Sequence, residues 1–580
     1  MNRRFLALPL IVLALTACAD KPPVADAVYL NARIYTANPD LPWAEAMVVR
    51  DEKLTYVGDN DTASGYRAME KIDLDGRLVL PGLIDAHVHP GFIAMYADLL
   101  PLPEAEDRES QMRDIARLIA DNPDKDLIFA IGWNNEFFGT TGPHRRDLDA
   151  LESSRPVLIF DITMHSLWAN TRALELSGIG EDPVDPWPGV AFFQRDENGD
   201  LTGYVTESAA FSLAGSLTEV REQEEQVLRE FLSDLKKDGI TAVFDAGNFG
   251  RDDEVYGAVT RMDERGELPV RYYGSYSIML PAQYDTAVEE LKRMHESYRS
   301  ENVRVDTLKV FYDGVVETRG AHLLKDYSDM PGHRGASLFG VDNLKQLILD
   351  LDRENLHLHI HTIGDQAARS ALDAVELAQT ELDRQVRSRI TLTHLQVVDE
   401  ADYARFAELG VIAQFTPAWH GHDHGYYYPA LGGRADTPYP VQPILEAGAK
   451  VSFSSDVYFP SEWHDGSASP FTGIQVGHTR QYREDAPHGP TGLESEKLGI
   501  DVLIDGYTRG AAWQLGQEGV QGMLKAGYLA DFIVLDTDLF TMPAHTISEL
   551  EPSAVFIGGQ LVQGSLQPRD WHAMLSRRER

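Results

Sequence analysis

The chain has 580 residues, of which 43% are hydrophobic and 25% are charged, and its formal net charge at pH 7 is −39. This length exceeds one simple core and predicts a large domain accompanied by a smaller one. The acidic charge argues against nucleic acid and anionic membrane surfaces as partners, because both repel an acidic protein surface.

The first residues have the features of an export signal. A basic start, Met1-Asn2-Arg3-Arg4, precedes an apolar run from Phe5 to Ala17 that is too short to span a bilayer as a mature helix. Leu15-Thr16-Ala17-Cys18 resembles a bacterial lipobox. Residues 1–17 are therefore predicted to be a lipoprotein signal peptide, with Cys18 as the lipidated residue. An ordinary cleaved signal is the alternative.

Cys18 is the sole cysteine, so no disulfide forms within the mature chain. Ala19, rather than an acidic residue, follows it, and this favours anchoring in the outer membrane over retention in the inner membrane. We therefore expect a periplasmic lipoprotein of the bacterial cell envelope that touches the membrane only through its N-terminal lipid anchor.

Both ends of the mature chain are predicted to form short strands separated by turns. The N-terminal strands are Ala27–Tyr35, Ala46–Arg50, Lys53–Val57 and Lys71–Leu74, and the C-terminal ones are Ala530–Leu535 and Ala554–Gly559. Neither group has enough strands to bury a sheet alone. Residues 28–80 and 520–566 are therefore predicted to build one small β-sandwich beside a larger domain.

Residues 81–515 alternate between apolar strand-like runs and amphipathic helices. The predicted strands are Leu83–His89, Thr241–Ala246, Val270–Ser277, Thr307–Asp313, Leu356–His361, Ile390–His394, Val411–Phe415 and Lys450–Ser455. This alternation is typical of an α/β fold, a (β/α)8 TIM-type barrel. Eight barrel strands are obtained only if residues of about 100–237 form an insertion after the first strand. This insertion would lie on the active-site side of the barrel.

His87 and His89 lie two residues apart at the end of the first predicted barrel strand. Residues two apart on a strand point to the same face, so both imidazoles leave the strand together. Two such imidazoles can grip a divalent metal ion. Two structural histidines with satisfied hydrogen bonds are the alternative.

Residue types that bind metals recur at other predicted strand ends, where barrels of this kind concentrate their chemistry. The fourth strand carries Lys309, the fifth ends at His361, the sixth at His394 and the eighth at Asp456. A buried lysine is costly unless it is paired or modified. Its amine can react with carbon dioxide to give a carbamate that bridges two cations. An ion pair of Lys309 with Asp313 or another acid is the alternative.

The chain resembles the metal-dependent amidohydrolases, in the branch that contains N-substituted formamide deformylases. The motifs that carry the resemblance extend over nearly the whole mature chain. They are Pro81-Gly82-Leu83-Ile84-Asp85-Ala86-His87-Val88-His89, Lys309-Val310-Phe311-Tyr312-Asp313-Gly314, His361-Thr362-Ile363-Gly364-Asp365, Thr393-His394, Ser454-Ser455-Asp456 and Gly527-Tyr528-Leu529-Ala530-Asp531-Phe532-Ile533-Val534-Leu535.

The resemblance implies one or two Zn²⁺ ions per chain at the barrel mouth. His87, His89 and Asp456 would hold the first ion, and His361 and His394 the second, with an N6-carboxylated Lys309 between them. Asp456 would also be the catalytic residue, taking a proton from the activated water and passing it to the leaving amine.

Four further residues lie in segments that are similar to the family, and we predict them to contact substrate: Glu136, His165, Arg319 and Arg434. A supporting or structural role is the alternative for each. The loop Trp419-His420-Gly421-His422-Asp423-His424 is rich in histidine, and we interpret its histidines as mobile surface residues rather than ligands.

Together these patterns predict an exported metal-dependent hydrolase of non-peptide carbon–nitrogen bonds in a small amide, formamide, imide or N-acyl compound. Hydrolysis of an ester, lactone or phosphoester on the same site is one alternative. A metal-bound receptor or regulator without catalysis is another. We expect a small-molecule substrate and no nucleic-acid partner. A homodimer is the candidate oligomeric form.

Overall fold

The N-terminal strands divide between two sheets. The computed structural model describes residues 24–139, 141–180, 182–217, 224–421, 427–485 and 489–566, so the predicted signal peptide and Cys18 lie outside the described residues. The first strands are β1 (Ala25–Leu30), β2 (Arg33–Tyr35), β3 (Trp43–Ala44), β4 (Ala46–Arg50), β5 (Lys53–Gly58), β6 (Ala68–Asp73) and β7 (Leu78–Pro81), with helix α1 (Asn60–Ser64) after β5. The prediction of one strand over Ala27–Tyr35 is wrong, because Asn31 adopts a left-handed backbone with φ of 54° and redirects the chain.

The first barrel strand, β8 (Leu83–Val88), is followed by a long excursion with its own sheet. Its strands are β9 (Leu100–Pro101), β10 (Ile128–Trp133), β11 (Val157–Asp161), β12 (Ser166–Ala169), β13 (Phe193–Arg195) and β14 (Leu201–Thr206), in the order β13-β14-β12-β11-β10-β9. Its helices are α2 (Pro90–Met95), α3 (Arg108–Asp121), α4 (Arg145–Asp149), α5 (Thr171–Leu176), α6 (Glu207–Leu217) and α7 (Glu224–Lys237). We call the sheet with α3 to α6 the inserted layer.

The remaining barrel strands are β15 (Ile240–Asp245), β16 (Arg271–Ile278), β17 (Val303–Phe311), β18 (His357–Thr362), β19 (Ile390–His394), β20 (Ile412–Phe415) and β21 (Lys450–Phe453). The helices in this part are α8 (Asp252–Glu264), α9 (Ala287–Ser297), α10 (Val341–Glu354), α11 (Asp365–Leu382), α12 (Tyr403–Leu409), α13 (Tyr428–Leu431), α14 (Val441–Glu446), α15 (Pro460–Asp465), α16 (Pro470–Thr479), α17 (Ile500–Asp505) and α18 (Ala511–Gln514).

The eight strands β8 and β15 to β21 form one parallel sheet in the order β21-β20-β19-β18-β17-β16-β15-β8. Backbone hydrogen bonds beyond the strand ends join its two edges: Asp456 N donates to His87 O at 2.8 Å, and His89 N donates to Val457 O at 3.0 Å. The sheet is therefore a nearly closed barrel, and the predicted TIM-type fold is confirmed.

The chain ends meet in one sheet. The last strands, β22 (Phe532–Leu535), β23 (Ala554–Ile557) and β24 (Gln560–Gly564), continue the order β24-β23-β22-β7-β2-β3. Tyr29 of the other sheet, ordered β5-β4-β1-β6, packs edge-on against Phe532 with ring centroids 5.2 Å apart.

The limits predicted for the separate domains stay predictions. In the described part of the chain, no helix has both the length and the apolar character needed to cross a membrane.

Candidate active site

Three side chains converge where the barrel closes. His87 is at the end of β8, His89 follows it, and Asp456 comes after β21, which is the neighbour of β8 across the closure. The Nε2 atoms of His87 and His89 lie 3.4 and 3.5 Å from Asp456 Oδ1. One ligand atom from each residue lies within 4.8 Å of the other two, and all three residues are buried. This arrangement can hold a metal ion.

Hydrogen bonds on the far side of each ring hold the imidazoles in place. The Nδ1 atom of His87 lies 3.0 Å from Thr393 Oγ1 and 2.9 Å from His359 Nε2. The Nδ1 atom of His89 lies 3.2 Å from the carbonyl oxygen of Gly247. Outer partners of this kind fix the orientation of metal-binding histidines and leave the other nitrogen for the ion.

The other three predicted ligands lie in the same cavity. His361 Nδ1 is 3.1 Å from Asp313 Oδ1, and His394 Nδ1 is 3.3 Å from Asp456 Oδ2. Lys309 Nζ is buried and forms no hydrogen bond with any described residue, and no described carboxylate lies within salt-bridge distance of it. The alternative ion pair of Lys309 with Asp313 is therefore not formed. Asp313 instead accepts hydrogen bonds from the backbone amides of Ile363 and Gly364.

Burial in the barrel favours the uncharged forms of the histidines and of Lys309. Burial, with a contribution from the nearby Lys309, lowers the pKa of His87 and His361 well below the usual histidine range. Burial also lowers the pKa of His394 well below that range. Burial lowers the pKa of Lys309 to about 7. Neutral imidazoles and a neutral amine have lone pairs to offer, as a divalent cation requires of its ligands.

The donor set fits a divalent metal. Two imidazoles and a carboxylate are ligands that zinc accepts in catalytic sites. Lys309 Nζ is buried and has no hydrogen-bond partner among the described residues, although buried polar atoms normally have one. Asp456 and His394 also have left-handed backbones, with φ of 51° and 74°. Such conformations concentrate at functional sites.

A cavity of about 490 Å³ opens in front of these residues. Aromatic and aliphatic side chains supply most of its wall, among them Phe92, Phe211, Phe249, Phe311, Val315, Ile363, Trp419, Tyr427, Tyr439 and Tyr458. Polar side chains line the rest, and besides the predicted ligands they include His165, Glu317, Gln396 and Glu462. A cleft that joins apolar walls to convergent polar groups is the common form of a small-molecule site.

The four predicted substrate residues have different surroundings. His165 lines the cavity, whereas Glu136, Arg319 and Arg434 are not part of its lining. Arg319 pairs with Asp329, and Arg434 donates to backbone carbonyls, including that of Lys325 at 3.0 Å. Substrate contact by Glu136, Arg319 and Arg434 stays a prediction.

Two features of the site were missed by sequence reasoning. Trp419 stacks on His394 with ring centroids 5.2 Å apart, and His420 is fully buried against Tyr439. The interpretation of the loop's histidines as mobile surface residues is wrong for His420, while His422 and His424 lie outside the described residues. The second missed feature is the pairing of Glu207 with His165, in which Oε2 lies 2.6 Å from Nδ1. No spacing in the sequence links two residues so far apart. The aromatic content of the loop was the one available signal for Trp419.

Comparison with known proteins finds relatives that match this chain over most of their own length. The exoenzymes regulatory protein AepA of Pectobacterium carotovorum subsp. carotovorum is 29% identical over 409 residues, 68% of this chain and 86% of AepA. The N-substituted formamide deformylase of Arthrobacter pascens is 25% identical over 563 residues, 92% of this chain and 98% of the deformylase. An uncharacterized metal-dependent hydrolase from Pyrococcus horikoshii OT3 superposes with a TM-score of 0.67 at 22% identity, covering 89% of this chain and 99% of that one. Because this hydrolase is only 22% identical, its likeness to the chain shows a shared fold.

The barrel and its buried histidines and aspartate define a metal-dependent hydrolase. Residues 70–563 match the model of the amidohydrolase family, and the chain belongs to that family. The resemblance inferred from the sequence motifs is thereby confirmed, and the protein is a hydrolase acting on carbon–nitrogen bonds.

Proposed function

We propose that the protein hydrolyses a small N-substituted amide, formamide or N-acyl compound with an apolar or aromatic substituent, using one or two zinc ions. The observation that carries this proposal is the convergence of His87, His89 and Asp456 in a cavity that also has several aromatic side chains in its lining. The apolar wall suits a hydrophobic substituent. The deformylase relative, aligned over nearly its full length, supports an amide or formamide as substrate.

The described residues divide the chemistry between them. A divalent ion held here would polarise the substrate carbonyl and lower the pKa of water enough to supply a nucleophile near neutral pH. Asp456 is placed to accept the proton from water and return it to the leaving amine, because both of its oxygens face the histidines, at 3.3–3.5 Å. The products are a carboxylate and an amine.

We propose that Lys309 is N6-carboxylated in the active protein. Its amine is buried, forms no hydrogen bond with a described residue, and is mostly neutral at pH values above about 7. A neutral amine adds to carbon dioxide and releases one proton, which gives an anionic carbamate. That anion would offer oxygen ligands and remove the unpaired nitrogen. Carbon-13 NMR after growth with labelled bicarbonate should show a carbamate signal in wild type that is absent from Lys309→Met.

A metal and substrate survey tests the proposed function. Purified protein should contain about one or two zinc ions per chain by elemental analysis, and it should turn over members of a panel of N-formyl and N-acyl amines. The panel should include matched esters, lactones and phosphoesters. Turnover confined to the oxygen esters would assign the alternative reaction. Full activity in a metal-free protein would overturn the mechanism.

We propose that the protein is exported and anchored by a lipid on Cys18. The support is the sequence of residues 1–18: a basic start, an apolar run and a lipobox-like end. Cys18→Ser should give an unlipidated protein that is released from the membrane fraction, while wild type stays with the outer membrane. Wild-type protein found entirely in the soluble fraction would contradict the proposal.

A further inference from the structure

The inserted layer brings a histidine–glutamate pair to the cavity. His165 immediately precedes β12, and Glu207 immediately follows β14, its antiparallel neighbour. The backbone amide of Glu207 donates to the carbonyl oxygen of His165 at 2.7 Å. Glu207 has φ of 51°, a left-handed conformation that is uncommon for a residue other than glycine and that concentrates at functional sites.

The carboxylate of Glu207 is clamped between the inserted layer and the barrel. Its Oε2 atom lies 2.6 Å from His165 Nδ1, and its Oε1 atom accepts a hydrogen bond from Thr318 Oγ1 at 2.9 Å. Gly314, after β17, makes room for it, because a Cβ atom there would lie 2.8 Å from Oε1. The side chain of Glu207 is only 9% exposed. Both oxygens are therefore held by groups from two different parts of the chain.

This clamp decides which nitrogen of His165 faces the cavity. Nδ1 directs its proton at the carboxylate, so Nε2 is the atom left for another partner. Although burial opposes it, the charge of the adjacent Glu207 carboxylate raises the pKa of His165 to about 9, so the ring carries both protons at neutral pH and Nε2 is a donor. No residue in the described part of the chain forms a hydrogen bond with Nε2. The ring of His165 lines the cavity, with its centroid 6.2 Å from that of His361. A substrate bound at the histidine cluster would come within reach of this nitrogen.

We infer that Glu207 is a positioning residue that holds His165 so that Nε2–H of His165 donates a hydrogen bond to the substrate. The acceptor would be an oxygen of the acyl group, since the substrates proposed above offer carbonyl oxygens and release carboxylates. The inference rests on the proposed function for the identity of the substrate. It adds the inserted layer to the active site, because both residues belong to that layer.

A double-mutant cycle tests the coupling. His165→Ala and Glu207→Gln, singly and together, should keep the metal content of wild type, and thermal unfolding should show each variant folded at the assay temperature. Glu207→Gln should lower kcat/KM about 10- to 100-fold, the loss expected when a charge-assisted hydrogen bond is removed. The double variant should be no worse than His165→Ala, because Glu207 acts through His165. Glu175→Gln, an exposed change in the same layer, should behave as wild type.

Additive losses in the double variant, or full activity in Glu207→Gln, would overturn the inference. If Glu207→Gln does not fold, Thr318→Val removes one donor to the same carboxylate. It should cause a smaller loss that vanishes in the His165→Ala background, and a loss that persists there would also contradict the inference.

A readout without turnover separates this inference from the proposed function. Proton NMR should show a far-downfield signal from His165 Nδ1–H in wild type and in Glu175→Gln. The signal should be missing from His165→Ala and shifted upfield in Glu207→Gln. A panel without any turnover would defeat the proposed substrate class while this signal still reports the clamp. Absence of the signal from wild type would defeat the clamp itself.

Discussion

At the scale of single residues, substitutions of Asp456 and His87 separate the role of proton acceptor from the role of metal ligand. Asp456→Asn keeps a ligand oxygen but cannot accept a proton, so kcat should fall at least about a hundredfold, the usual range for general-base help. His87→Ala removes an imidazole donor and should lose metal and activity together. Metal content by elemental analysis should therefore stay higher in Asp456→Asn than in His87→Ala, with the exposed change Asp342→Asn as control. Near-wild-type kcat in metal-loaded Asp456→Asn would move the base role to another residue, such as His165 or Glu136.

A second residue-scale prediction concerns Asp161, which is buried at the end of β11. Burial raises its pKa to about 7 from the ordinary 3.8, against the lowering effect of hydrogen bonds from Ser166 N and Thr163 Oγ1. Between these pH values the folded protein holds a proton on Asp161 that the unfolded chain releases. The stability that Asp161 contributes is therefore full below pH 3.8 and is lost as pH rises to about 7.

Denaturant unfolding of wild type and Asp161→Asn across this pH range checks the sign. The free energy of unfolding of wild type, relative to the variant, should decrease with rising pH by at most about 4 kcal/mol. The comparison cancels the titration of groups that the two proteins share. Asp182→Asn, an exposed change in the same region, is the control substitution. A rise with pH would mean that Asp161 is ionised in the folded protein.

The residue scale also shows how far sequence reasoning reached. His87, His89, His361, His394 and Asp456 were identifiable because strand ends of a barrel meet at one face, so each position followed from the strand pattern. Glu207 was not identifiable, because its place depends on a left-handed backbone and on the pairing of β12 with β14. Neither feature leaves a periodic signal in the sequence.

At the scale of elements, the end of β18 is constrained by the glycine that follows it. A Cβ atom on Gly364 would lie 2.1 Å from the backbone oxygen of His322. Gly364→Ala should therefore displace the strand end that carries His361, lower metal content, and cost about 1–3 kcal/mol of stability through overpacking. Denaturant unfolding and elemental analysis measure both effects.

Gly340→Ala is the matched control. Gly340 also precedes a helix, α10, with similar backbone angles, but the nearest atom to a new Cβ there is 3.9 Å away. Its substitution should show only the small change expected at a helix cap, with metal content unchanged. Equal losses in the two variants would show that a change in helix capping, rather than the contact with His322, causes the loss in Gly364→Ala.

The elements themselves differ in how well the sequence predicts them. All eight predicted barrel strands overlap the observed ones, because each is a continuous apolar run bounded by turns or helices. In the inserted layer the apolar runs Asp126–Trp133 and Pro156–Asp161 predict β10 and β11, while β9, β12, β13 and β14 were missed. These strands have two to six residues, and β9 and β13 are too short to show the alternation that distinguishes a strand from a loop.

At the scale of the whole molecule, the sheet built from both chain ends is tied to the barrel by a buried ion pair. Arg271 begins β16, and Asp531 immediately precedes β22; each is 8% exposed. The Nε and Nη2 atoms of Arg271 lie 2.9 and 3.2 Å from the Asp531 carboxylate. Asp531 also accepts from Gly558 N at 2.7 Å, so one carboxylate links the barrel to the terminal strands.

Removing the cation should weaken both parts together. Arg271→Met leaves Asp531 buried without its partner, which typically costs about 3–5 kcal/mol. Arg113→Met is the control, because its pair with Glu109 is exposed and such helix pairs contribute only about 0.3–0.5 kcal/mol. In Arg271→Met, hydrogen exchange should accelerate in β16 and β22 alike, since the shared carboxylate makes the two sheets open as one unit. Faster exchange confined to β22, with the barrel unchanged, would show instead that the terminal strands unfold independently of the metal site.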